Sequence, residues 1–384
     1  MKKMLSILLA LVLVVALFAG CASDKNSDKS SDGGNTLKIG FIGPLTGGAA
    51  VYGNAAKRGA EIAVKEINAK GGIQLEFNAQ DDENDAEKSV NAYNNLMDWG
   101  MQVLVGTVTT TPCVAVSAEA YADRVFTLTP SASSAEVPAG KDNVYQICFT
   151  DPNQGKASAK YIADNMADAK IAVIYDNGSV YSSGIFQTFD AEAKTLGLNI
   201  VSVSTCTEDT SDFSVQVSDA KNAGADLVFL PIYYTPASLI LNYANSIGYA
   251  PTFFGVDGMD GILTLEGFNT SLAEGVMLLT PFAADAADQA TQSFVSSYQE
   301  AYDETPNQFA ADAYDCVYAV YQAFTATGLG ADASTADICD AMCKQFNTMS
   351  FSGLTGQNMT WKDGQVDKAP AAVVIKGGVY VSAG

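Results

Sequence analysis

Histidine is absent from this 384-residue chain, and arginine occurs only as Arg58 and Arg124. Without histidine, the chain cannot form a Ser-His-Asp or Cys-His catalytic set, a histidine zinc site or an imidazole pH switch. Basic side chains number 21 against 43 acidic ones, so the formal net charge is −22. Because an acidic surface repels a phosphate backbone, we expect no binding to nucleic acid.

The motifs of common catalytic and metal sites are also missing. The sequence has no Cys-x-x-Cys pair and no Gly-x-Ser-x-Gly elbow, and its acidic residues are scattered in the manner of a solvated surface. We therefore expect no metal, no cofactor and no enzymatic activity. An exported hydrolase that uses carboxylates or a serine is the distant alternative.

The longest apolar run, Leu5 to Phe18, is too short to span a bilayer. It follows Lys2 and Lys3 and precedes small residues, which is typical of a secretory signal. The run from Leu17 to Cys21 resembles a bacterial lipobox, in which the cysteine is lipidated and becomes the mature N-terminus. An ordinary signal peptide with a chance cysteine is the alternative.

The residues after Cys21 are polar up to Thr36 and show no apolar periodicity. This composition is typical of a flexible tether. We predict a signal peptide over residues 1–20 and a lipid anchor with its linker over residues 21–36. The protein would then be held at the outer or periplasmic face of the cell membrane by its lipid alone.

Six further cysteines follow Cys21, and they are widely spaced. An exported chain could pair them, but Cys339 and Cys343 lie on adjacent turns of one predicted helix. We therefore predict mostly free thiols in the core.

Strands and helices alternate through most of the remaining chain. Short apolar runs predict strands at 37–42, 75–79, 103–105 and 125–128, with helices at 52–68, 85–99 and 112–123 between them. A polar, hinge-like stretch at 150–155 leads into a second alternating series of strands at 171–175, 200–204 and 227–230. Such an order implies parallel sheets covered by helices on both faces, an α/β fold with two doubly wound lobes.

The later part of the chain follows a different pattern. A strand at 275–279 precedes three helical stretches, 289–302, 309–327 and 334–346, and short β segments complete the chain. Two lobes with a return to the first fit this order better than two domains in series.

The opening block carries a family resemblance. The run Lys38-Ile-Gly-Phe-Ile-Gly-Pro-Leu-Thr-Gly, then Tyr52-Gly, and then the stretch from Arg58 to Ile73, resemble the branched-chain amino-acid subfamily of type I periplasmic binding proteins. These are the extracytoplasmic receptors of ABC importers. Later motifs, such as Thr129-Pro-Ser-Ala-Ser133 and Gly255-Val-Asp-Gly258, follow in the family's order.

The resemblance implies two Rossmann-like lobes joined by a three-crossing hinge, with the ligand enclosed between them. It places residues 37–152 and 281–350 in lobe 1, and residues 153–280 and 351–384 in lobe 2. The expected role is that of a monomeric receptor that binds an amino acid and delivers it to ABC permease subunits. A sensory receptor with the same lobes, or a ligand such as an amide, urea or aromatic acid, is the alternative.

Hydroxyl side chains predict where a ligand carboxylate would bind. Thr109 to Thr111 precede Pro112, so hydroxyls and free backbone N–H groups converge on a helix N-terminus. Ser131 and Ser133 follow the next strand, at the strand ends where open parallel sheets bind ligands. Either cluster alone could be a simple helix cap, but by resemblance Thr110, Ser133 and the Ser131 backbone bind the carboxylate.

Asp257 is the predicted partner of the ligand's ammonium group. The family has an acidic residue at this position, and the flanking glycines allow close backbone approach. An aspartate before glycine also suits a plain turn, and Asp260 is the alternative if the register is shifted.

Aromatic residues are expected to form the wall around the ligand side chain. By resemblance these are Tyr52, Tyr181, Tyr234 and Phe309, with Tyr233 competing for the place of Tyr234. Two departures from the family occur: the cysteine pair that some relatives have in the first lobe is absent, and Thr110 replaces the commoner serine. The exact amino acid is left open.

Overall fold

The computed structural model describes residues 35–383. The predicted signal peptide and the lipidation site Cys21 lie outside these residues. The described part contains two mainly parallel sheets, one of five strands and one of seven, and a two-stranded hairpin.

The first sheet is built from the N-terminal alternation. Its order is β2-β1-β3-β4-β5, and all its neighbouring strands are parallel. The strands are β1 (Thr36–Gly43), β2 (Gln74–Asp81), β3 (Val103–Gly106), β4 (Phe126–Thr129) and β5 (Val144–Gln146). Every residue of β3 and β4 is buried, as expected for parallel strands covered on both faces.

The second sheet has the order β14-β13-β10-β9-β8-β6-β7. Strands β6 to β10 are parallel, whereas β13 and β14 run antiparallel at one edge. The strands are β6 (Lys170–Asp176), β7 (Asn199–Cys206), β8 (Leu227–Leu230), β9 (Thr252–Gly255), β10 (Met277–Thr280), β13 (Ala371–Lys376) and β14 (Val379–Ser382).

Helices connect the strands of each sheet. They are α1 (Ala50–Lys70), α2 (Ala86–Trp99), α3 (Thr110–Ala122), α4 (Asp151–Asn165), α5 (Val180–Leu196), α6 (Ser214–Asn222), α7 (Tyr234–Ser246), α8 (Gln289–Tyr302), α9 (Gln308–Thr327) and α10 (Thr335–Phe346). Three short 3₁₀ segments, the first of them Asp257–Met259, lie between β9 and β10.

Helix α1 and helix α9 pack against each other with their backbones in close contact. Apolar residues recur on α1 at helical spacing, among them Ala56, Ala60 and Ile67, and all three are fully buried. A Cβ added at Gly59 would lie only 1.9 Å from the carbonyl oxygen of Ala310. Glycine therefore sets the distance between the two helices, and with it the positions of their N-termini beside the site.

The chain crosses between the two sheets three times. The first crossing follows β5, the second follows β10, and the third joins the hairpin of β11 (Trp361–Lys362) and β12 (Gln365–Val366) to β13. At the third crossing, Lys368 Nζ lies 2.6 Å from Asp312 Oδ1 of α9, and both side chains are almost fully buried. This fold is the predicted one: two doubly wound lobes with a three-crossing hinge.

The predicted lobe boundaries stay a prediction, and one segment bears on the last of them. Within residues 351–366, assigned to the second lobe from the sequence, Trp361 Nε1 donates a hydrogen bond to Gln146 O of β5 at 2.8 Å. The N–H of Gln146 in turn donates to Gly364 O at 2.8 Å. These contacts join the hairpin to the first sheet.

The hinge-like stretch predicted at 150–155 is largely helical. Apolar spacing predicts a helix only from Ala157 to Met166, whereas helix α4 begins at Asp151, because Pro152 suits a first helical turn. The six cysteines among the described residues are buried and free, as predicted.

Candidate functional site

The candidate site lies where the carboxyl ends of strands from both sheets meet. Loops after β3, β4 and β9, and the N-termini of α1, α5, α7 and α9, contribute side chains to one small pocket. Its lining residues are Tyr52, Val108, Thr109, Thr110, Ser131, Tyr181, Tyr233, Asp257, Gly258 and Phe309. Open parallel sheets bind ligands at this edge because helix N-termini and loop N–H groups converge there.

The pocket measures about 10 Å³, which is close to the space that one water molecule needs. An amino acid is much larger than this. A ligand of that size could therefore enter only if the loops of the two sheets moved apart.

The N-terminus of α3 supplies the hydrogen-bond donors from the first sheet. Thr109 precedes the helix in an extended conformation but makes no side-chain cap, and its buried Oγ1 has no hydrogen-bond partner in the described part of the chain. The N–H groups of the first turn have no partners within the helix itself. The helix begins at Thr110, two residues before the predicted start at Pro112. The N–H groups of Thr110 and Thr111 therefore belong to the first helical turn.

The loop after β4 lies beside the α3 N-terminus. Ser131 lines the same pocket as Thr110. Its N–H donates to Thr129 Oγ1 at 3.3 Å, so this group is already engaged, although weakly. Ser133 does not line the pocket; it lies beneath, where its carbonyl oxygen accepts a hydrogen bond from the N–H of Asp151 at 3.0 Å.

Asp257 supplies a buried carboxylate from the second sheet. It begins the 3₁₀ segment after β9, and only 5% of it is exposed. The Tyr181 hydroxyl donates to Asp257 Oδ1 at 2.6 Å, and the N–H of Gly258 donates to that hydroxyl at 3.0 Å. Burial raises the pKa of Asp257 to about 7, although hydrogen bonds from Tyr181 and Gln154 oppose the rise.

Two glutamines hold the backbone of Asp257 in place. Its N–H donates to Gln154 Oε1 of α4 at 3.2 Å, and its carbonyl oxygen accepts from Gln308 Nε2 of α9 at 3.2 Å. A Cβ added at Gly258 would lie 2.5 Å from the Tyr181 hydroxyl, so only glycine allows this approach.

Tyr52 connects the two sides of the site. Its hydroxyl donates to the carbonyl oxygen of Gly258 and accepts from the N–H of Tyr234 at 3.2 Å. Its ring centroid lies 5.2 Å from that of Tyr233 and 4.6 Å from that of Phe309. Burial raises the pKa of Tyr52 well above its ordinary value, so this phenol stays protonated and can donate.

The structure brings together most of the predicted site residues. Six of them line the pocket: Tyr52, Thr110, Ser131, Tyr181, Asp257 and Phe309. Ser133 and Tyr234 do not, and Tyr233 occupies the position predicted for Tyr234. Their shared location is a structural fact, whereas their roles in binding stay a prediction.

Sequence reasoning missed Asp151. It is almost fully buried at the first crossing, and neither carboxylate oxygen has a hydrogen-bond partner among residues 35–383. Burial raises the pKa of Asp151 well above its ordinary value; the Ser133 side chain opposes part of this rise, and the charge of Asp257 adds to it. The only signal in the sequence was Asp151-Pro152, which looks like an ordinary helix start.

The described part of the chain contains no group of three His, Cys, Asp or Glu residues placed to hold a metal ion. Within it, no helix combines the length and the apolar character that a membrane crossing requires.

Comparisons with known proteins agree with this arrangement. The profile of a family described as periplasmic binding protein matches residues 36–378. The chain is 34% identical over 227 residues to Leu/Ile/Val-binding protein homolog 3 of Brucella melitensis biotype 1, an alignment that covers 58% of this chain and 61% of that protein.

Two solved structures have a similar fold. The leucine-binding protein LivK of Thermotoga maritima MSB8 is 25% identical, with a TM-score of 0.81, and the match covers 91% of this chain and 98% of that one. The branched-chain amino acid transporter substrate-binding protein LivJ of Streptococcus pneumoniae, solved in complex with isoleucine, is 28% identical with a TM-score of 0.81. That match covers 90% of this chain and 97% of LivJ.

Proposed function

This chain belongs to the periplasmic binding protein family, and on that premise we propose that it is the extracytoplasmic substrate-binding protein of an ABC importer. Its ligand is an amino acid, branched-chain or related, held between the two lobes. The protein performs no chemistry on this ligand and passes it to the permease subunits.

One observation carries this proposal: a single pocket joins donors from the first sheet to a buried carboxylate from the second. The ligand carboxylate accepts hydrogen bonds from the first turn of α3, at Thr110, and from the Ser131 hydroxyl. The ligand ammonium group pairs with Asp257. No arginine is needed, because a helix N-terminus favours an anion.

An unpartnered atom of the pocket lining supports the same binding mode. Thr109 Oγ1 is buried without a hydrogen-bond partner in residues 35–383. Leaving such groups unsatisfied costs free energy, which a polar ligand and its water can recover. Tyr52, Tyr181, Tyr233 and Phe309 then surround the ligand's aliphatic side chain.

A calorimetric comparison of leucine with two truncated analogues tests the binding mode. 4-Methylpentanoate lacks the ammonium group, and 3-methylbutylamine lacks the carboxylate. We expect only the intact amino acid to bind tightly, because each analogue leaves one half of the site unpaired.

A preceding thermal-shift screen of all amino acids identifies the best ligand, since a ligand at 100 times its Kd stabilises by about 2.7 kcal/mol. A screen in which no amino acid shifts the melting temperature would contradict the proposal.

We also propose that Cys21 carries a lipid anchor, on the resemblance of residues 17–21 to a lipobox. The variant Cys21→Ser should move the mature protein from the membrane fraction to the soluble exported fraction, because no acyl chain can be attached. The affinity for the amino acid should not change, since the change is confined to the tether. Unchanged membrane retention of Cys21→Ser would contradict lipidation.

A further inference from the structure

A second and much larger cavity lies beside the candidate site. It measures about 1080 Å³ and shares none of the described residues that line the small pocket. Its walls come from the first turns of α1, the start of α7, the segment 260–266, the loop between α8 and α9, and the strands β10, β13 and β14. We call it the flank cavity.

Two tyrosines separate the flank cavity from the small pocket. Tyr234 lines the cavity, whereas Tyr52 lines the pocket. Their ring centroids lie 4.8 Å apart in an edge-to-face arrangement, and the Tyr234 hydroxyl accepts a hydrogen bond from the N–H of Val51 at 3.3 Å. Both spaces therefore exist side by side, and a molecule in one does not occupy the other.

The charges around the flank cavity are mostly negative. Four carboxylate residues line it: Asp260, Glu266, Asp285 and Glu304. The one cationic residue of its described lining is Arg58, which already pairs with Glu304 at 2.5 Å. The uncompensated charge favours a cation and disfavours an anion.

Asp260 is the most buried of these carboxylates. Its Oδ2 accepts a hydrogen bond from the N–H of Gln308 at 3.1 Å, and the Tyr380 hydroxyl also favours the charged form of Asp260, whereas Oδ1 has no hydrogen bond of ordinary geometry within residues 35–383. Only 5% of this residue is exposed. No cation of residues 35–383 pairs with this carboxylate, so its buried charge is uncompensated unless the group takes up a proton or a cation binds from outside.

The rest of the lining is largely apolar. Aliphatic and aromatic side chains come from the second sheet, from helices α1 and α8 and from the loops beside them: Val51, Leu263, Leu278, Phe282, Val295 and Val379. A cavity of about 1080 Å³ lies at the upper end of the sizes of small-molecule sites, and an apolar lining with a few polar groups is typical of such sites.

We propose that the flank cavity binds a small amphipathic amine, a molecule with one protonated amino group, an apolar body and no carboxylate. The amino group lies near Asp260, and the apolar body contacts the aliphatic wall. A free amino acid is disfavoured here because its carboxylate would face the acidic lining. The flank cavity is thus a second ligand site, chemically distinct from the amino-acid pocket.

The test uses 4-phenylbutylamine as the probe and 4-phenylbutyrate, with the same apolar body and the opposite charge, as its control. Titrations are run by calorimetry at pH 8, because burial raises the pKa of Asp260 to about 6 and the group must be charged. Each is done with and without saturating leucine. We expect one amine to bind per chain under both conditions, and no binding of the butyrate.

Two variants locate the bound amine. Asp260→Asn removes the charge without changing the shape, and it should weaken amine binding by about tenfold or more. Val295→Trp fills the cavity from α8 and should abolish amine binding while leucine binding persists. Asp219→Asn is the matched control, because Asp219 is an exposed residue of α6 that does not line the cavity. This variant should bind the amine with the original affinity.

The outcomes separate this inference from the proposed function. If no amino acid binds but the amine still binds and responds to both variants, the flank cavity stands and the amino-acid proposal falls. If leucine displaces the amine, the amine occupies the small pocket and the inference is overturned. Absence of amine binding, or full binding to Val295→Trp, also overturns it. If Asp260→Asn fails to fold, loss of amine binding in Val295→Trp becomes the test of the proposed site.

Discussion

The charge of Asp257 distinguishes a ligand-binding residue from a turn residue. Asp257→Asn keeps the shape and the turn propensity but removes the partner of the ligand ammonium group. The loss should cost roughly 2 to 5 kcal/mol of binding, or one to nearly four decades in Kd, by calorimetric titration with the best ligand. The melting temperature should change little.

Asp168→Asn serves as the control for this prediction, because Asp168 is an exposed residue outside the site. It should bind the ligand with the original affinity. Original affinity in Asp257→Asn as well would make Asp257 a turn residue.

The raised pKa of Asp257 predicts a pH dependence of binding. Burial raises that pKa to about 7 in the free protein, and a bound ammonium group would lower it again. Ligand binding therefore releases a proton below pH 7, so affinity should rise from pH 5.5 to pH 7.5 and level off above it. The pKa of Asp151 is also raised by burial, and the charge of Asp257 raises it further. Affinity that is constant over this range would count against a buried carboxylate in the site.

The same shift predicts the pH dependence of stability. The folded pKa of Asp257 lies above the value of about 3.9 expected in the unfolded chain. The folded state therefore holds more protons between these two values, and the contribution of Asp257 to stability decreases as the pH rises from about 4 to about 7. Chemical unfolding of the ligand-free protein at several pH values would measure the free energy of unfolding. Its decrease between pH 4 and pH 7 should be smaller in Asp257→Asn.

Asp257 and Tyr181, both predicted as site residues from the sequence, line the small pocket, but the sequence could not choose between adjacent tyrosines. Tyr233 precedes α7 with extended backbone, and Tyr234 is its first helical residue. Their side chains point in different directions, so Tyr233 lines the pocket and Tyr234 lines the flank cavity. Which tyrosine lines the pocket depends on whether the helix starts at one residue or the next. Apolar spacing does not locate a helix start to within one residue.

At the scale of elements, Gly59 sets how closely α1 and α9 approach. Gly59→Ala should destabilise the fold by roughly 1 to 3 kcal/mol, because the new methyl group would overlap Ala310 and force the helices apart. The gain in helix propensity, about 1 kcal/mol, opposes only part of this. Denaturant unfolding of the ligand-free protein gives the value.

Gly48→Ala is the matched control, since a Cβ there meets no atom of residues 35–383 within 4 Å. It should leave the free energy of unfolding nearly unchanged. If Gly59→Ala unfolds like Gly48→Ala, the helices can separate without cost and the close packing is unimportant for stability.

The buried parallel strands were the elements that the sequence predicted best, because short apolar runs separated by helical spacing leave few alternatives. Strand β5 was missed, since it has only three residues and follows a loop with no periodic signal. The start of α4 was also misplaced, because the polar residues 151–155 form a first helical turn whose stability comes from its packing. Thus Gly155 lies so close to α5 that an added Cβ would be 2.0 Å from Thr188 Oγ1.

At the scale of the whole molecule, alternation of strands and helices predicted two doubly wound units but not their connection. Periodicity does not indicate which sheet a returning segment joins. The three crossings came from the family resemblance alone. The hairpin of β11 and β12 contacts the first sheet through Trp361 and Gln146, whereas β13 joins the second sheet beside β10. Such long-range contacts leave no local pattern in the sequence.

We predict that the two lobes open and close around the ligand. The pocket of about 10 Å³ cannot admit an amino acid unless the loops of the two sheets move apart, and Tyr52 joins the two sides through Gly258 and Tyr234. The ligand-free protein should therefore sample an open form, which the ligand shifts toward the closed one through its contacts with both lobes. Small-angle scattering should show a smaller radius of gyration with saturating leucine than without it, and no change with 4-methylpentanoate. An equal radius with and without a tightly bound amino acid would show that the lobes are fixed, so that entry depends on local movement of the loops.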